Sequence, residues 1–292
     1  MQLKANFEQD WVGAVRQIME SIWEMSLVGV DEKDIPTLFF HAGLRRIEPR
    51  PRKVCESSSF ECPPEHVAGW VSLKAKVEAG VDLSPHLSLL TQKPTATDSL
   101  LFDWGVYHLH LGVATHAKNA DFVERTGPVL FGHPTEDTFY AIGIYGHGSW
   151  SDSTVIETMR AEWPGLTDAL VVPGVHAKDL AHQLTDEDRA NLRKANLNTF
   201  TATADGAVLH SLGGGFASNG ISIKAVMARD RHLSIVDDLQ ARLPQIAAQA
   251  EAGLLAEGYD GQAVVTARLV IGASWVVAFD GYKYQMPVRL PA

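Results

Sequence analysis

LLFDWGVYHLHLG at 100–112, followed by GPVLFG at 127–132 and FYAIGIY at 139–145, is the stretch on which the fold turns. The first run is apolar and aromatic with histidines interposed, and Leu100 to Gly112 reads as a strand. The second and third runs read as two short strands, separated by the turn-like residues Pro134 to Asp137. A helix is expected from Ser153 to Trp163, entered through Ser151-Asp152 and halted by Pro164. Together these make a small antiparallel sheet with a helix behind it.

Toward the N-terminus, residues 7–29 have helical spacing, with Phe7, Trp11, Val15, Ile18, Ile22 and Met25 at three- and four-residue steps. Residues 45–64 read as a loop. They hold the basic group Arg45, Arg46, Arg50, Arg52 and Lys53, opposed only by Glu48, and end in Pro63-Pro64. The basic group is expected to be a solvated linker stiffened by Pro49 and Pro51. Helical spacing returns over 65–80 through Val67, Trp70, Val71, Leu73 and Val77, with Gly80 as the stop.

Toward the C-terminus, LTDEDRANLRKAN (184–196) predicts a helix with Thr185 as N-cap and three acids in its first turn. Strands are expected around Thr199 to Leu212 and Ile221 to Ala228. Gly213-Gly214-Gly215 with Gly220 lacks GxGxxG order and a Walker lysine, and reads as a mobile turn. A helix is expected from Asp237 to Gly258, with Pro244 near its first turns or kinking it. Strands at Ala263 to Ile271, Ser274 to Phe279 and Lys283 to Leu290 close the chain, the last two joined at Asp280-Gly281. The expected class is α+β in three parts: a helical region at 1–97, the small sheet at 98–165, and an α+β module at 166–292 suited to an accessory or dimerisation role. A homo-oligomer is left open.

Composition narrows the class. With 292 residues the chain suits one large or two modest domains, and 46% apolar against 21% charged residues suffices for a real core. No apolar run approaches the ~20 residues of a membrane helix. The opening MQLKANFEQDWVGAV sets acids and a tryptophan where a signal peptide has its apolar stretch, so a cytoplasmic, membrane-free protein is expected. Cys55 and Cys62 read as reduced, unremarkable thiols. A net charge of −10 argues against stable, non-specific nucleic-acid affinity, which neutralises phosphates with Lys and Arg, but leaves room for a local site.

The candidate chemistry lies between Asp103 and Trp150. His108 and His110 are two apart in the expected strand, so both side chains face one side, about 6.5–7 Å apart. Two such imidazoles serve as acid and base, or as ligands of one metal. Asp103 precedes them, and His116, His133 and His147 follow. His108, His110 and Asp103, with His147 approaching, would make a zinc or manganese set. A strand histidine is also commonly half-buried and structural. Trp104, Trp150 and Trp163 either stack on bases or are buried in the core. There is no GxSxG elbow, and His176 and His182 have no assigned role.

DLSPHLSLL (82–90), LLFDWGVYHLHLG, RTGPVLFG (125–132) and YAIGIYGHGSW (140–150) together resemble a group of uncharacterised bacterial proteins. That group has a D-W-G-(I/V)-x-H-x-H-L core followed by a strand related to R-T-x-x-L-(L/F)-F. The likeness spans about residues 65–165 and implies no established activity. The strand order also resembles the RelE-type toxin ribonucleases, with VLF (129–131) and IGIYGH (142–147) in comparable places. Those enzymes carry several Lys and Arg along these strands, where this chain offers Lys118 and Arg125. The resemblance implies a cofactor-free ribonuclease of the toxin or phage-defence kind. RNA would be its partner, with His108, His110 and His147 as acid/base groups and Arg125 holding a phosphate. A metal-dependent hydrolase of a small molecule and a non-enzymatic interaction protein remain the alternatives.

Overall fold

A computed structural model describes residues 1–272 and 274–288. The elements begin with β1 (Gln2–Lys4), α1 (Phe7–Gln17), α2 (Ile35–Gly43), β2 (Lys53–Glu56) and α3 (Val67–Ala79). The central run is α4 (Ser99–Trp104), β3 (Tyr107–His110), β4 (Pro128–Pro134), β5 (Thr138–Gly146) and α5 (Thr154–Glu162). There follow α6 (Asp186–Lys194), β6 (Thr201–Ala202), β7 (Val208–Leu209), α7 (Ile223–Ala241) and α8 (Leu243–Ala256). The chain closes with β8 (Val264–Ile271), β9 (Trp275–Phe279) and β10 (Gln285–Pro287). The class is α+β, and no helix among the described residues is long and apolar enough to cross a membrane.

Two compact units divide the chain at boundaries other than 97/98 and 165/166. One is Met1–Phe40 with Ala225–Ala292, and the other is His41–Lys224. In the first unit β1 pairs parallel with β8, and β8, β9 and β10 run antiparallel. The strand expected to reach Leu290 ends at Pro287, and its last expected residues lie outside the described ones. Pro244 does not kink one long helix. It sits in the first turn of α8, where its missing N–H costs nothing.

The second unit is built on a sheet of order β2-β5-β4-β3. The three expected strands are antiparallel, but β2 joins β5 in parallel, so the sheet is mixed. β2 comes from the segment read as a loop, and the basic group there is solvated only in part, with Lys53 exposed and two of its arginines buried. Arg52 donates to the carbonyls of Thr135 (2.6 Å) and Glu48 (2.8 Å), and both it and Arg45 are buried. One sheet face packs Leu109, Leu130, Phe139 and Ala141 against Trp70, Leu73 and Val77 of α3. The other packs Val129, Phe131 and Ile142 against Leu100 and Trp104 of α4 and Val155, Ile156 and Met159 of α5.

Two expected strands are helical in part. Ser99–Trp104 is a helix whose N-cap Asp98 accepts the Leu101 N–H at 3.0 Å, and Gly105 at φ 68° closes it in the left-handed region. A six-residue apolar run carries no usable periodicity, so the caps decide it. Ile221 to Ala228 alternates like a strand, yet from Ile223 it is the start of α7. The triple glycine is not a mobile turn. Gly213 and Gly215 donate to the carbonyls of Asp103 (2.8 Å) and Phe102 (2.7 Å), and a Cβ on Gly213 would lie 2.1 Å from the Leu101 carbonyl oxygen. The helix at 7–29 stays α-helical to Gln17 and widens to a π turn over Ile18–Ile22.

Candidate functional site

β3 is an edge strand of the second unit's sheet. It pairs His108 with Phe131 and His110 with Val129, so both histidines lie on the face shared with α4 and α5, opposite Leu109. From there their surroundings diverge. His108 lines a pocket of about 230 Å³ with Asp98, Ser99, Tyr107, His147 and Trp150, closed on other sides by leucines and Arg45. His110 is not part of that lining and is only 4% exposed.

The His108 Nδ1 faces Asp98 Oδ2 at 3.6 Å and has no hydrogen-bond partner among the described residues. That separation is too long for a hydrogen bond, though catalytic pairs often tighten once a substrate binds. Burial pushes the imidazole's pKa down, and the Asp98 charge opposes that shift. Asp98 is held by its capping bond, which uses Oδ1 and leaves Oδ2 toward the histidine. Trp150 touches both pocket histidines, its ring 4.6 Å from His108 and 5.0 Å from His147, and it stacks on Phe131 at 5.6 Å. His147 is exposed and follows the end of β5, its backbone N–H donating to the Gly127 carbonyl at 2.8 Å.

His110 has a different assignment. Its Nδ1 accepts the Thr126 N–H at 3.1 Å, and its carbonyl accepts a hydrogen bond from His86 Nδ1 at 2.8 Å. Burial first, and then the nearby Arg125 charge, push its pKa down to about 3, so it is neutral and its remaining proton sits on Nε2. His86 is itself buried with a pKa pushed down to about 4, and its Nε2 accepts from Lys76 Nζ at 2.8 Å. His110 and His86 thus brace the strand. The ring of His147 still comes within 6.1 Å of His110.

Two expected site residues are committed elsewhere. Arg125 directs its guanidinium to the carbonyls of Leu87 (2.5 Å), Pro85 (3.1 Å) and Val123 (2.9 Å), which leaves little with which to hold a phosphate. Asp103 faces Arg193 (2.8 Å) and Arg189 (3.3 Å), and the two guanidiniums stack on Trp104 at 4.2 and 5.0 Å. A carboxylate neutralised by two arginines is a poor metal ligand, so the set His108, His110 and Asp103 does not converge. Among the described residues no group of three or more His, Cys, Asp or Glu is arranged to hold a metal ion. His116 and His133 are also occupied, by the N–H groups of Lys118 and Asn119 and by the Gly105 carbonyl. Cys55 and Cys62 are free thiols.

Sequence reasoning passed over Asp98 and Arg193. The signal for Asp98 was present, since an aspartate three residues before Leu101 is an N-cap pattern once the run is read as a helix. Arg193 had none. Four residues after Arg189 on α6, it donates to the Trp150 carbonyl and to Ser151 Oγ, fixing the loop that carries Trp150. Arg45 also lines the pocket, but its donors go to the carbonyls of Leu90 (2.6 Å), Lys93 (2.7 Å) and Pro94 (3.1 Å). Burial lowers its pKa to about 10, which leaves it charged at neutral pH. It therefore offers the pocket a positive field rather than a hydrogen bond. Compared with protein-family models, curated proteins and solved structures, the chain shows no match.

Proposed function

We propose that this protein cleaves RNA by metal-independent acid–base chemistry in the pocket beside Trp150. The observation that carries the reading is the convergence of His108 and His147 on that one pocket, each in ring contact with Trp150, with Asp98 beside His108. Burial favours neutral His108, the form a base requires. Asp98 is placed to take the Nδ1 proton as a hydrogen bond and leave Nε2 as the accepting nitrogen. Trp150 supplies a face on which a base can stack. In the reaction, His108 removes the proton of a ribose 2′-hydroxyl and that oxygen attacks the adjacent phosphorus. The bond to the 5′-oxygen breaks and His147 protonates the leaving oxygen, giving a 2′,3′-cyclic phosphate and a free 5′-hydroxyl. The buried Arg45 charge favours the developing negative charge. His110 and Arg125 have no chemical step in this scheme. A toxin or phage-defence setting would suit such an activity.

The test is cleavage of a mixed-sequence oligoribonucleotide with excess EDTA present. Cleavage with cyclic phosphate ends, no cutting of the matching DNA, and loss of activity in His108→Gln and His147→Gln are expected. No cleavage, or full activity in both variants, would overturn the reading.

A further inference from the structure

A second hollow, of about 470 Å³, adjoins the pocket and shares Ser99 and Trp150 with it. Its character is different. The first pocket sets leucines and a tryptophan beside two histidines, Asp98 and several hydroxyls, whereas the second has no histidine or leucine and offers the hydroxyls of Ser149 and Ser151, the carboxylates of Asp152 and Asp186, and Lys194. Each carboxylate has one oxygen in use. Asp152 Oδ1 accepts the Thr154 N–H (3.0 Å) and hydroxyl (2.6 Å), and Asp186 Oδ1 accepts the Ser153 N–H at 3.1 Å. The second oxygen of each makes no further hydrogen bond among the described residues. Arg193 borders the hollow, but Asp103, the Trp150 carbonyl and Ser151 occupy it. Two carboxylates against one exposed lysine are unsuited to a phosphate. Carboxylate oxygens with spare acceptor capacity beside serine hydroxyls suit the hydroxyl groups of a sugar.

We infer that the hollow is a second subsite that takes the ribose on the leaving side of the scissile phosphate, so that the ligand spans two nucleotides across Trp150. This rests on the RNA reading above. The first pocket holds the nucleoside whose 2′-hydroxyl attacks. The phosphate then sits by His108 and His147, and Asp152 and Asp186 accept from the 2′- and 3′-hydroxyls of the next sugar. The minimal good ligand is therefore a dinucleoside monophosphate.

Binding by calorimetry to the full chain tests this, with three probes that cannot be cleaved for want of the attacking hydroxyl. They are a 2′-deoxynucleoside 3′-monophosphate, the dinucleoside monophosphate built from it with an intact second ribose, and the same with a 2′,3′-dideoxy second sugar. The intact dinucleotide should bind at least about ten-fold tighter than the mononucleotide, the worth of one of the two added charge-assisted hydrogen bonds. The dideoxy probe should lose that gain. Asp152→Asn/Asp186→Asn, which keeps the acceptors used by Thr154 and Ser153, should lose it as well without changing mononucleotide affinity. Equal binding of all three probes overturns the second subsite and leaves the RNA reading standing. Binding of none of them overturns the RNA reading, and this inference with it.

Discussion

His108 and His110 share a strand and a face, yet one has an unpartnered buried nitrogen beside a carboxylate and the other has its Nδ1 accepting a backbone N–H. The residue-scale consequence is a split between chemistry and stability. His41, His86 and His110 are buried and neutral, with pKa values pushed down to about 4, 4 and 3, burial being the first cause in each. All three lie below the unfolded value, so the unfolded chain binds more protons as pH falls. Stability should therefore be complete above about pH 6.5 and be lost as pH falls toward 4, each histidine adding up to about 1.4 kcal/mol per pH unit. His41 donates from Nε2 to the Ala96 carbonyl and accepts the Ser222 N–H. Urea unfolding of His41→Gln at pH 7.5 and pH 5 should show a smaller difference between the two pH values than the parent shows. An unchanged difference would remove His41 from the acid sensitivity.

At the element scale, helix α3 lies very close to the chain just after β3. A Cβ on Gly69 would meet the Leu111 carbonyl oxygen at 1.8 Å, whereas one on Gly13 of α1 would have nothing within 4 Å. Helix propensity favours alanine over glycine by about 1 kcal/mol at both positions. Gly13→Ala is therefore expected to stabilise by about 0.5–1 kcal/mol. Gly69→Ala should destabilise by about 1–3 kcal/mol, because the helix would have to move off the strand. Denaturant titrations of the two variants should differ in sign. A stabilising Gly69→Ala would mean that α3 stands further from β3. Capping acts at the same scale: Thr185 accepts the Asp188 N–H at 3.1 Å and Asp188 returns a bond to the Thr185 N–H, so Thr185→Ala should cost about 1 kcal/mol.

For the molecule as a whole, the segment 41–224 is continuous in sequence and carries apolar clusters on both faces of its own sheet. Expressed alone it is expected to melt cooperatively with a near-UV signal from Trp104 and Trp150, while a non-cooperative melt would show that it does not fold by itself. Within it, the Asp103 cluster joins parts of the chain far apart in sequence. The carboxylate meets Arg189 and Arg193, about ninety residues on, and Arg193 in turn reaches the Trp150 carbonyl. Asp103→Ala would leave two buried guanidiniums without their counter-charge and is expected to cost about 3–5 kcal/mol. Near-UV circular dichroism should report displacement of Trp150 at temperatures where the fold survives. An unperturbed signal there would separate the cluster from the pocket.

What depends on near neighbours in the chain is legible in the amino-acid order alone. The helix at Val67–Ala79 with its Gly80 stop, the Thr185 cap, the strands of β4 and β5, and the shared face of His108 and His110 follow from periodicity and capping within a few residues. The tertiary structure decided what each polar side chain is used for. Whether Arg125 is free or spent, whether Asp103 meets a histidine or two arginines, and whether Asp98 or Asp103 stands beside His108 depend on groups tens of residues away. The same is true of β2, whose pairing with β5 gives a proline-flanked basic stretch a place in the sheet. A buried donor or charge is satisfied by whatever acceptor the packed chain brings to it, and local spacing carries no record of that partner.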